Sequence, residues 1–97
     1  MSDVRELAAA YGVRVELADL GDWAAVKLVA EYDPDGPVIR VNERALPRTT
    51  SCDAIDRAVA HELYHHREAI GEIARIADRS ARERAADAFA DDLVRAR

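Results

Sequence analysis

The sequence predicts one α+β domain, and three observations predict it: a short amphipathic stretch at the N-terminus, alternating apolar and polar residues around a proline-glycine turn in the middle, and helical periodicity after Pro47. The chain of 97 residues suits a single domain over 1–97. A domain of this size buries its core with little margin, so a bound metal would add stability as well as chemistry.

The first helix is expected from about Ser2 or Asp3 to Tyr11, with Val4, Leu7, Ala8 and Tyr11 on one face and Gly12 placed to end it. Val13, Val15 and Leu17 then alternate with Arg14 and Glu16, the period of a half-buried strand. A second strand is expected over Ala25 to Tyr32. The turn Asp33-Pro34-Asp35-Gly36-Pro37 follows, and Val38 to Val41 returns as the partner strand. These strands are expected to form a small antiparallel sheet with a β-hairpin.

Thr50 or Ser51 is a candidate cap for the next helix, with Asp53 in its first turn and Ile55, Val59 and Leu63 as its apolar stripe. A further helical stretch is expected from about Glu68 to Ala77, with Gly71 as a point of breakage. The final helix runs from about Ser80 to Arg95 and offers Ala85, Ala86, Phe89, Ala90 and Leu93 to the core.

The formal charge is −5, and Lys27 is the only lysine. An acidic chain whose arginines are interleaved with acids is a poor binder of nucleic acid or of an anionic membrane surface. Cys52 is the single cysteine, so an intramolecular disulfide is excluded. It reads as a small buried apolar residue. The N-terminus lacks the basic and apolar regions of a secretory signal, and no apolar run approaches membrane-spanning length. A soluble cytoplasmic protein is the expectation.

The chemistry concentrates in Ala58-Val59-Ala60-His61-Glu62-Leu63-Tyr64-His65-His66, which contains H-E-x-x-H. Residues four apart lie one turn above each other on a helix, so His61 and His65 can offer two nitrogens to one ion. Glu62, beside the first of them, can reach the attacking water without ligating the metal and serve as general base. His66 lies about a quarter-turn from His65 and is expected in solvent.

Catalytic zinc takes three protein ligands and leaves a fourth position open. Glu83 is the candidate third ligand, with Asp87 one turn further, able to hydrogen-bond the free N–H of a ligating histidine. Ala86 and Ala90 are small enough for this helix to pack closely on that of His61. Ser80-x-x-Glu83 also reads as a capping box. If Glu83 only caps, Glu68, Glu72 and Asp78 are the next candidates.

His61-Glu62-Leu63-Tyr64-His65 followed by Glu83-x-x-Ala86-Asp87-x-Phe89-Ala90 resembles the ImmA/IrrE family of gluzincin-type zinc metallopeptidases. Val38-Ile39-Arg40-Val41-Asn42 is similar to the strand that precedes the active-site helix there. The likeness runs from about Val13 to Leu93, and only the two helical motifs are specific. Tyr64 stands where the family usually has glycine, and Arg67 where an apolar residue is commoner.

The resemblance implies a minimal zincin-like domain in which His61, His65 and Glu83 hold zinc, Glu62 is the general base and Asp87 supports the ligands. It also implies a cytoplasmic hydrolase, a protease acting on a peptide or protein substrate; in some relatives that substrate is a transcriptional regulator. The alternative expectation is a zinc-stabilised interaction module that regulates a partner by binding. Two further expectations are that Val38 to Val41, as an edge strand beside the metal, pairs with an extended peptide, and that Trp23 closes one end of the core.

Overall fold

The computed structural model describes residues 3–21, 29–44 and 52–96, and the side chains of Asp3, Cys52 and Asp53 are not described. In chain order the elements are α1 (Asp3–Ala10), β1 (Arg14–Ala18), β2 (Ala30–Asp33), β3 (Val38–Asn42), α2 (Cys52–Ala69) and α3 (Arg79–Ala96). The expected positions 25–28 of the second strand, Trp23 and the cap at Thr50 or Ser51 lie outside the described residues, as does the side chain of Cys52.

Glycine ends α1 as its position suggests. Gly12 has φ 74°, and the Gly12 and Val13 N–H groups bond the carbonyls of Ala9 and Ala8, each at 2.9 Å. This 6→1 and 5→2 pair is a Schellman cap, which satisfies carbonyls the helix would leave bare. The chain is thereby turned so that Val13 joins Val4 and Ala8 in the core.

The β2–β3 hairpin is antiparallel, with Tyr32 opposite Ile39, and the Asp33 side chain accepts the Asp35 N–H at 2.9 Å inside the turn. The sheet as a whole is not antiparallel. Its order is β1-β3-β2, and β1 pairs with β3 in parallel, Val15 opposite Ile39. Alternation within β1 carries no information about the direction of its partner.

This order makes β3 the central strand, so the expectation of an edge position for Val38 to Val41 is wrong. The burial agrees: Val38, Ile39, Val41 and Asn42 are all at most 2 % exposed, as in a strand covered on both faces. Among the described residues the edges are β1 and β2. Leu17, at the end of edge strand β1, is 61 % exposed despite its place in the alternation.

Helix α2 is the middle of the structure, touching the sheet, α1 and α3. Val59, Ala60 and Leu63 are fully buried against Ile39, Val41, Val4 and Ala8. Burying one such aliphatic side chain stabilises the fold by about 1.5–3 kcal/mol.

The helix ends at Ala69, and the expected helical stretch from Glu68 to Ala77 is not formed. Gly71, at φ 76°, is the reason: its N–H bonds the Glu68 carbonyl and that of Glu72 bonds the Arg67 carbonyl, a second Schellman cap. The chain then runs without regular structure to Asp78, whose carboxylate accepts the Ala81 N–H at 2.8 Å and caps α3.

The cap therefore sits two residues before Ser80. Ala86 and Ala90 of α3 are fully buried, and their small side chains permit the close packing on α2. Tyr64 is buried beside Phe89 at 5.9 Å, and the Arg67 guanidinium lies 5.2 Å from the same ring.

Candidate metal centre

The apolar stripe of α2 faces the sheet, which leaves His61 and His65 half-buried on the side toward α3. Their rings are 5.0 Å apart and their Nε2 atoms 3.3 Å apart, aimed at one point. Glu83 meets them there from α3. One carboxylate oxygen is 2.8 Å from His61 Nε2 and the other 3.5 Å from His65 Nε2. Because Asp78 has taken over the cap, Glu83 is free for this position.

The far side of each ring is also held by a carboxylate. Asp87 Oδ1 lies 2.8 Å from His61 Nδ1, and Glu68 Oε1 lies 2.8 Å from His65 Nδ1. A carboxylate partner assigns the proton to Nδ1, so both Nε2 atoms present lone pairs. The inward-facing set is then three acceptors, one each from His61, His65 and Glu83, all within 4.8 Å of one another. Acceptors do not stabilise each other, and this set fits a small cation of zinc type with nitrogen and oxygen preference.

Asp87 thus lies where the i,i+4 spacing from Glu83 suggests, and Arg57 steadies it. Arg57 bonds Asp91 at 2.6 Å and lies 3.7 Å from Asp87, so the acids spaced one turn apart on α3 meet a cation one turn before His61. Glu68 stands on His65, not in the ligand position. Its side chain is 6 % exposed and its second oxygen has no hydrogen-bond partner. Glu72 takes part in a separate cluster, accepting from Tyr11 and Arg67. Asp78 is the α3 cap. None of these three joins His61, His65 and Glu83 in the group whose ligand atoms lie within 4.8 Å of one another.

Glu62 lies beside the histidines, and its Oε2 is buried without a partner. Burial pushes its carboxyl up to about 7, opposed by His61 and reinforced by the carboxylates of Glu83 and Glu31. It lines a cleft of about 530 Å³ whose other wall is Val29 to Tyr32, the outer strand β2 and the residue before it.

His66 is 4 % exposed, and its expected place in solvent is wrong. Its Nδ1 is 2.7 Å from the Tyr32 hydroxyl, and Tyr11 and Tyr32 pack edge-on at 5.8 and 5.5 Å. Desolvation holds the His66 pKa below its usual value. Spacing on α2 alone does not reveal this, because β2 and the turn after α1 supply the two tyrosines.

Comparison with protein-family models, curated proteins and solved structures finds no match to this chain. Among the described residues no helix is long and apolar enough to cross a membrane.

Proposed function

We propose that this chain is a zinc-dependent metallopeptidase of gluzincin type, similar to the ImmA/IrrE family, acting on a peptide or protein substrate such as a transcriptional regulator. The observation that carries the reading is the convergence of His61, His65 and Glu83, each histidine backed by its own carboxylate, next to a buried and unpartnered Glu62. His61, His65 and Glu83 hold the ion, and zinc when bound supplies a Lewis acid that acidifies water and polarises a carbonyl.

The chain's own groups do the rest. Asp87 and Glu68 keep the Nδ1 protons in place and hold both rings in the ligating orientation. Glu62 takes a proton from the attacking water and returns it to the departing amine. The outer edge of β2, on the far wall of the same cleft, offers backbone groups to an extended peptide, the role that the resemblance and an expected edge placement had given to β3.

The test is zinc stoichiometry by mass spectrometry with cleavage of a peptide library by the same preparation. About one zinc per chain is expected, lost in His61→Ala and Glu83→Ala and retained in Glu62→Gln, which loses cleavage. Metal-dependent cleavage that survives Glu62→Gln refutes the mechanism.

A second reading is an interaction module stapled by zinc, favoured by the origin of the ligands on two different helices, α2 and α3. It expects chelation to lower the melting temperature, and Glu62→Gln to leave both zinc and partner binding intact with no cleavage in either protein.

A further inference from the structure

Behind the metal centre lies a second cavity of about 520 Å³, walled by His65, Glu68, Ala69, Arg75, Arg82 and Glu83. It shares His65 and Glu83 with the cleft that faces β2, so the two cavities adjoin across the metal centre.

The charges of this second cavity are committed unevenly. Glu68 is turned into the wall and bonded to His65, and Glu83 faces the histidine nitrogens. The arginines are not closed in this way. Elsewhere Arg40, Arg44, Arg57 and Arg67 each meet a carboxylate, while Arg5, Arg14, Arg79 and Arg84 stand exposed on the surface. What sets Arg75 and Arg82 apart is that they line the one cavity with His65 and Glu83. Among the described residues Arg75 has no hydrogen bond or ion pair. Arg82 has one bond, from Nη1 to the Ile76 carbonyl at 3.3 Å, which leaves most of its fork open. Arg82 also stands in the first turns of α3, where the helix dipole favours an anion.

We infer that Arg75 and Arg82 form a specificity pocket for a carboxylate of the substrate, placed at a fixed distance from the bond that Glu62 helps to cleave. The inference rests on the metallopeptidase reading and adds the substrate class, a peptide that is acidic at one position. Two guanidinium forks beside two carboxylates leave the cavity walls balanced. A divalent ion on His61, His65 and Glu83 tips them positive, so the pocket becomes attractive to an anion in the loaded protein. A singly charged carboxylate matches the planar forks, which bind it through paired N–H groups. The carboxylate comes either from an aspartate or glutamate side chain or from the C-terminus of the peptide.

The first test is calorimetric titration of the zinc-loaded protein with benzylsuccinate and with 3-phenylpropionate, which share a phenylpropionate body and differ by one carboxymethyl group. Benzylsuccinate should bind at least about tenfold more tightly, the worth of one charge-assisted contact. Arg75→Gln and Arg82→Gln should erase that ratio while leaving zinc content, helical circular dichroism and 3-phenylpropionate affinity unchanged.

Equal affinities in the unaltered protein, or a ratio that survives the double substitution, overturn the pocket and leave the zinc reading standing. A folded chain that takes up no zinc overturns both. In a peptide library cut by the loaded protein, cleavage at a set distance from Asp or Glu identifies the side-chain source. Cleavage confined to free C-termini identifies the terminal source. Cleavage with neither preference overturns the inference.

Discussion

Glu62 should make the metal-free protein less stable as pH rises. A carboxyl raised from the usual 4.5 to about 7 by burial is more acidic in the unfolded chain than in the fold. Its contribution to folding is therefore unimpaired below about 4.5. It is lost progressively as pH climbs to about 7, because the unfolded state ionises first. The loss above 7 is about 3 kcal/mol, at roughly 1.4 kcal/mol per pH unit.

Glu62→Gln keeps the shape and removes the charge. In chelator-treated protein, urea unfolding followed by circular dichroism should find the variant more stable by about 3 kcal/mol at pH 8 and by under about 1 kcal/mol at pH 5. Groups common to both proteins cancel in the difference at each pH. Equal midpoints at pH 8, or a difference that does not change between pH 5 and pH 8, refute the claim that burial raises this carboxyl. Confirmation would mean that the fold tolerates a destabilising acid at the position to which the proposed function gives the general base.

Glu68→Gln and Asp87→Asn should each weaken zinc binding by about 10–100-fold, measured by competition with a chromophoric chelator, because each releases one histidine ring from its carboxylate. Unchanged affinity in Glu68→Gln refutes its role behind His65. Gly71→Ala should cost about 1 kcal/mol in urea unfolding. The residue sits at φ +76° with nothing within 4 Å of an added Cβ, so the cost is conformational and not steric.

Local order was legible wherever it depends on residues within one turn or one cap. The i,i+4 pairs His61/His65 and Glu83/Asp87 share a face by helix geometry alone. Gly12 ends α1 because only glycine sits without strain at its positive φ. Ala86 and Ala90 announced a close helix contact by their size, and both are buried.

The rest was decided by neighbours distant in the chain. The parallel pairing of β1 with β3, and with it the exchange of edge and centre between β2 and β3, does not follow from alternation. His66 is buried because Tyr32 arrives from β2 and Tyr11 from the turn after α1. Asp78, and not Ser80, caps α3, and that displacement of two residues leaves Glu83 facing the histidines. Sequence by itself thus determined which side chains share a helix face, since backbone geometry repeats every few residues. Tertiary structure alone decided what each face meets, because those contacts join elements whose separation in the chain carries no signal of distance.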